Sequence, residues 1–245
     1  MPRDSRLYAI GDTHGHLRET RALVKQLVAE GMEPERDTVV FLGDYVDRGP
    51  DVCGLVAYLM LCPAHWVFLR GNHDQMLLDA LERPWEDRPF LRWFTAGGRE
   101  TWYSYISSRN RHQLVTTYPW HHTDADRLAI ASDIPDDHLA WLEARPLWHE
   151  TDRHLFVHAG LRPGVAPADA RPRDLLWMRR EFIASDHDWG KIVVFGHTTQ
   201  RAPLVLPNKI GIDTLQYPNG SLTAVRLDTA TPVFFAQPLL GGCDG

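Results

Sequence analysis

The sequence predicts an α/β fold, and three observations predict it. Short apolar runs alternate with stretches of helical periodicity along the first third of the chain. Each apolar run ends in a glycine-containing polar loop. The 245 residues, 44% of them hydrophobic, are enough to bury strands on both faces beneath helices.

The elements follow in order. Leu7–Ile10 reads as a strand running into Gly11-Asp12. Leu17, Leu23, Val24, Leu27 and Val28 recur at helical spacing, and Gly31 closes that helix. Residues 38–42 form a second strand, ended by Gly43-Asp44, and 52–61 a second helix. Residues 66–69 form a third strand, followed by Arg70-Gly71-Asn72-His73-Asp74 and a helix over 75–81. This βαβαβα order implies parallel strands with helical crossovers. Ligands of such sheets bind beyond the carboxyl ends of the strands, so Asp12, Asp44 and Asn72 are expected to converge on one edge.

Residues 84–135 break the rhythm and are dense in aromatics, from Trp85, Trp93 and Trp102 to Tyr118 and Trp120. They predict a mostly helical insertion whose rings pack as a core over the sheet edge. The rhythm then resumes. A strand at His154–Val157 leads into His158, a helix covers 175–183, and a strand at 191–195 leads into Gly196-His197. Residues 209–212, 222–227 and 232–236 read as strands of a second sheet. No repeat interrupts the chain, and 1–245 reads as one domain carrying the insertion.

The formal charge of −6 argues against nucleic acid or an anionic membrane as partner. It leaves an anionic small substrate open, because a few arginines or cations can reverse the local potential. Cys53, Cys62 and Cys243 are odd in number and lack CxxC spacing, so they read as reduced thiols, the first two in the core. No leader peptide is visible, and the apolar stretch 52–62 is too short to span a bilayer. A cytoplasmic protein is expected.

Five strand-end loops carry metal-ligating side chains: Asp12 and His14, Asp44, Asn72 and His73, His158, and His197. Oxygen and imidazole donors without thiolate suit manganese, iron or zinc. Carboxylates gathered at one edge would repel each other without a cation, and two metal ions resolve that cost.

These loops resemble a known family. "GDTHG" (11–15), "GDYVDRG" (43–49) and "GNHD" (71–74), then "HAG" (158–160) and "GHT" (196–198), are similar to the signature blocks of phosphoprotein-phosphatase-type metallophosphoesterases, in family order. The nearest likeness is to the bacterial and phage branch. The resemblance implies a calcineurin-like α/β/β/α sandwich of two mixed sheets flanked by helices. It implies two divalent ions, manganese first, with iron or zinc as alternatives. Asp12 and His14 would bind the first ion, Asp44 would bridge, and Asn72, His158 and His197 would hold the second. His73 would instead face the substrate, paired with Asp47. Paired ions lower the pKa of a shared water, and the resulting hydroxide attacks phosphorus. Arg48 and Arg70 flank two motif loops and suit phosphate oxygens. "LLWMRREF" (175–182) resembles the family segment that adds a third arginine, Arg179, with Arg180 as the adjacent alternative. His73, held by Asp47, would protonate the leaving oxygen.

Asp74 and Asp213 read as structural. At 211–225, "GIDTLQYPNGSLTAV", Leu215, Gln216 and Tyr217 stand where many bacterial relatives carry small residues, which leaves substrate preference open. The leading function is a phosphomonoesterase acting on phosphoserine, phosphothreonine and also phosphotyrosine in proteins. A dinucleoside tetraphosphate hydrolase is the alternative. Symmetrical enzymes of that kind resemble "GDLVARGP", with alanine in place of Asp47. An inactive scaffold of the same fold is the third reading. It is disfavoured because no ligand is missing.

Overall fold

Strands β1 (Leu7–Ile10), β2 (Thr38–Phe41) and β3 (Val67–Phe68) pair in parallel, with Leu7 opposite Thr38 and Val40 opposite Val67. The computed structural model describes residues 5–84, 86–106, 124–215 and 220–239. Trp85, Tyr118, Trp120, His121, His122, Gln216, Tyr217 and Cys243 lie outside them. Helix α1 (Leu17–Ala29) connects β1 to β2, and α2 (Val52–Met60) connects β2 to β3. The Asp51 carboxylate caps α2 by accepting the Gly54 N–H at 2.9 Å. Helix α3 (Asn72–Leu81) begins three residues earlier than the apolar period predicts, so Asn72 and His73 occupy its first turn.

The second sheet holds β4 (Trp148–Glu150), β5 (His154–Val157), β6 (Ile192–Phe195), β7 (Leu204–Leu206) and β8 (Lys209–Gly211), in the order β4-β5-β6-β8-β7. The first sheet has the order β10-β9-β1-β2-β3. Two sequence expectations need correction. The stretches 222–227 and 232–236 become β9 (Ser221–Arg226) and β10 (Val233–Pro238), and they belong to the first sheet. There β9 runs antiparallel to β1, closing its free edge. A strand's period of two reports its two faces and not the sheet it joins. Strands β4 and β7 have no long apolar run and gave no signal.

Side-chain alternation sorts the strands into layers. Leu7, Ala9, Val40 and Leu42 face Phe156, Val194, Ile210 and Ile212, filling the space between the sheets. Tyr8, Ile10, Val39 and Phe41 point the other way, onto Leu23, Leu27, Leu55 and Leu59 of α1 and α2. Leu155, Val157, Val193 and Phe195 pack against Leu175, Met178 and Phe182. The result is helix, sheet, sheet, helix, with both mixed sheets buried on both faces.

The described part of the insertion is helical: α4 (Asp87–Trp93), a π turn at Phe94–Gly98, α5 (Arg99–Tyr105) and α6 (Asp124–Asp133). Phe90, Trp93, Phe94 and Trp102 are buried in the core that includes α2 and α3, so these rings pack rather than form an open platform. Helix α7 (Asp136–Glu143) returns the chain to β4. The stretch 175–183 is two helices, α8 (Pro172–Trp177) and α9 (Arg180–Ile183). Arg179 lies at the break with φ −132° and ψ −99°, outside either helix. Of the adjacent pair, Arg179 is the one set at the break, with its Nε 3.0 Å from His197 Nε2, while Arg180 begins α9. Leu215 is buried in the α1–α3 core, and Cys53 and Cys62 are half-buried free thiols. Among the described residues no helix is long and apolar enough to cross a membrane.

Candidate active site

All five motif loops reach one place, where the carboxyl ends of β1, β2, β3, β5 and β6 meet. The two sheets are tied together there. His158 Nδ1 lies 2.7 Å from the Leu42 carbonyl, and the His197 N–H donates to the Asp12 carboxylate at 3.0 Å. Such approaches need residues without a Cβ. One added at Gly49 would stand 1.7 Å from the His14 carbonyl oxygen, and one at Gly196 would stand 2.1 Å from Asp12 Oδ1.

Backbone strain gathers in the same loops. Among the described residues, the non-glycine positions with positive φ are His14, Asp44, Asp47, Arg48 and His197. Left-handed conformations cost about 1–2 kcal/mol each for such residues and persist only where surrounding contacts enforce them. Asp74 is one enforcer. Its buried carboxylate accepts the N–H of Gly71 at 2.8 Å, Asp44 at 3.0 Å, Tyr45 at 2.9 Å and Val46 at 3.3 Å. The structural reading of Asp74 fits this.

Asp44 sits between two groups of side chains that could ligate a metal. Its Oδ2 is 3.5 Å from His14 Nε2, and its Oδ1 is 3.5 Å from His158 Nε2. Asp44, His158 and His197 offer ligand atoms all within 4.8 Å of one another, and so do His14, Asp44 and His73. The donor chemistry fits divalent cations. His14 Nδ1 faces the Val46 carbonyl at 2.9 Å and His158 Nδ1 faces that of Leu42, which turns both Nε2 lone pairs into the site. His158 Nε2 then meets Asn72 Oδ1 at 2.8 Å, two acceptors side by side, as ligands of one ion would be. Burial pushes the Asp12 carboxyl well up and Asp44 to about 6, and Asp213 adds to both. Burial holds His158 down at about 4 and His197 at about 2, so their imidazoles are neutral and able to ligate.

His73 is differently placed. Its Nδ1 lies 2.6 Å from Asp47 Oδ2, and its Nε2 lies 2.7 Å from Arg48 Nη2. Arg48 also reaches His14 Nε2 through Nη1 at 3.0 Å while remaining solvent-exposed. Arg179 Nε approaches His197 Nε2 at 3.0 Å. Arg70 is engaged elsewhere, with Nη1 on Gln75 Oε1 at 2.8 Å and Nη2 on the Glu143 carbonyl. Its Nε is buried without a partner.

Sequence reasoning missed two residues from the insertion. Trp93 Nε1 donates to Asp47 Oδ1 at 2.9 Å, and the Thr101 hydroxyl donates to the same oxygen at 2.6 Å while accepting the Asp47 N–H at 2.8 Å. Burial pushes Asp47 up to about 7, against the pull of these two donors and of Arg48. No local signal marks Trp93 or Thr101, because each lies about fifty positions from the loop it braces. Thr101→Val is expected to leave the buried Asp47 N–H unpaired and cost about 1–3 kcal/mol in urea unfolding. It is also expected to slow cleavage of alkyl phosphates more than of activated aryl phosphates, a selectivity that destabilisation alone would not produce.

A buried carboxylate set between two groups of neutral imidazoles, with arginines at the mouth, defines a metal-dependent phosphoesterase. The chain belongs to the calcineurin-like phosphoesterases, whose profile matches residues 5–201, and is a hydrolase of phosphoesters. It is 29% identical over 90% of its length to serine/threonine-protein phosphatase 1 of Salmonella typhimurium, spanning 91% of that protein. It is 30% identical over 69% of its length to a symmetrical bis(5'-nucleosyl)-tetraphosphatase of Aromatoleum aromaticum, spanning half of that protein. The crystal structure of a putative diadenosine tetraphosphatase superposes over 97% of this chain and 96% of its own with a TM-score of 0.65 at 23% identity, a likeness of fold.

Proposed function

We propose that the chain is a two-metal phosphomonoesterase that dephosphorylates phosphoserine and phosphothreonine, and also phosphotyrosine, in cytoplasmic proteins. The observation that carries this reading is the buried Asp47–His73 pair at 2.6 Å. An alkoxide leaves poorly and needs a proton, whereas the phosphate expelled from an anhydride leaves with little help. A braced aspartate–histidine pair serves the first reaction. The Salmonella typhimurium relative, named for serine/threonine phosphatase activity, supports the same reading along nearly its whole length.

In this reading Asp12, His14 and Asp44 hold one divalent ion, and Asp44, Asn72, His158 and His197 hold the other, manganese being the first choice over iron or zinc. Two such ions supply hydroxide at neutral pH and offset the phosphate's charge. The chain's own residues do the rest. Arg48 and Arg179 take the phosphate's outer oxygens through planar N–H forks, and Arg70 joins them if it leaves Gln75. When phosphate engages Arg48, His73 Nε2 is freed to face the leaving oxygen. Asp47 keeps the imidazole oriented through Nδ1 and stabilises its protonated form.

The tetraphosphatase relatives keep the second reading alive, and one assay separates the two. Phosphoserine and phosphothreonine peptides are expected to be turned over with higher kcat/KM than diadenosine tetraphosphate, with nitrophenyl phosphate as a common reference. A preference for the dinucleotide would overturn the proposal.

A further inference from the structure

Beside the metal-ligand cluster lies a cavity of about 530 Å³ whose walls come from the start of α8 to the start of α9, together with Arg162. Arg162, Arg171, Arg173, Arg179 and Arg180 line it, against only Asp174 and Glu181. The lining therefore carries an excess of three positive charges, in a chain whose formal charge is −6. Such a local reversal of sign focuses potential on an anion. The groove is continuous with the candidate active site. Arg179 lines it and also contacts His197 at 3.0 Å, and Trp177 lines it with its ring 5.9 Å from that of His197.

The walls show what they accept. Arg162 holds the Asp174 carboxylate through Nε and Nη2, both at 3.0 Å, and Arg171 holds the same carboxylate at 3.1 and 3.3 Å. One carboxylate is thus already clamped by two guanidinium forks, and Arg173 and Arg180 stand exposed beside it. The only aromatic residue in the lining, Trp177, is already engaged. The Arg92 guanidinium lies 4.2 Å from its ring centre, and the His197 ring stands nearly perpendicular to it at 5.9 Å. An exposed, arginine-lined groove whose one aromatic ring already carries a guanidinium fits an extended acidic peptide better than a dinucleotide.

We propose that this groove is a substrate subsite that binds aspartate or glutamate side chains flanking the phosphorylated residue, with Arg173 and Arg180 as its principal contacts. The proposal rests on the protein-phosphatase reading and adds to it a preference for acidic phosphopeptides. Exposed ion pairs are individually weak and screened by salt, so the expected discrimination is about three- to tenfold and shrinks at high ionic strength.

The test compares two phosphoserine peptides, one flanked by glutamates and one by glutamines, on the 245-residue chain and on R173Q/R180Q. Both residues are exposed, so the fold is expected to survive, and unchanged kcat/KM for nitrophenyl phosphate checks it. The expected result is a higher kcat/KM for the acidic peptide in the parent, lost in the double variant. Equal rates on both peptides, or a preference that survives the double substitution, would overturn the subsite while leaving the phosphatase reading intact. Failure to cleave either peptide, with diadenosine tetraphosphate turned over, would overturn the phosphatase reading and the subsite with it.

Discussion

Asp47→Asn is expected to slow turnover of a phosphoserine peptide by about 10²–10⁴-fold while slowing nitrophenyl phosphate far less. Asp47 accepts from three groups: Trp93 Nε1, the Thr101 hydroxyl and His73 Nδ1. An amide at this position can present its single oxygen either to Trp93 and Thr101 or to His73, but not to both sides. If the amide nitrogen faces His73, the imidazole is driven to the wrong tautomer and loses the charge that stabilises its protonated form. A poor leaving group feels that loss and a phenolate with a low pKa does not. Pre-steady-state and steady-state rates on a series of aryl and alkyl phosphates would show it as a steeper dependence on leaving-group pKa. Equal losses across the series would remove His73 from the role of acid and return it to the ligands, where its proximity to His14 and Asp44 would then be explained.

Asp44→Asn is expected to cost more, on the order of 10³-fold or beyond on every substrate, aryl phosphates included. Removing one fixed electrostatic contact to a transition state already costs about 10²–10³-fold. Asp44 faces both groups of candidate ligands, so in the proposed two-metal site both ions would be weakened together. The fold should survive. Asp44 Oδ1 accepts the His73 N–H at 2.9 Å, a bond that an asparagine oxygen keeps, and an amide relieves the burial of a second charge beside Asp12. Far-ultraviolet dichroism with metal analysis of the variant separates loss of ions from loss of structure.

The parallel strands of the first third and their convergence at one edge were legible because they rest on local patterns. Continuous apolar runs mark strands buried on both faces, and Gly-Asp or Gly-Asn marks where each must stop. Asp12, His14, Asp44, Asn72, His158 and His197, which gather at the candidate site, were legible for the same reason, each sitting one to four positions beyond a strand. Contacts between distant segments were not. Nothing near Trp93 or Thr101 announces that the insertion would brace Asp47. The assignment of β9 and β10 to the first sheet depends on which edge is free, and the break at Arg179 contains neither glycine nor proline to mark it. Positive φ at His14, Asp44, Asp47, Arg48 and His197 was equally hidden, because Asp and His visit that region more often than most residues but too seldom for residue type to mark these positions. Local rules fail there because tertiary contacts hold the backbone in the conformation that function needs.

The most direct measurement is the metal content of the purified, folded chain, determined by mass spectrometry alongside phosphatase activity. About two divalent ions per chain are expected, with activity lost on chelation and restored by manganese. A folded chain that hydrolyses phosphoesters at full rate with no bound divalent ion would contradict the two-metal site.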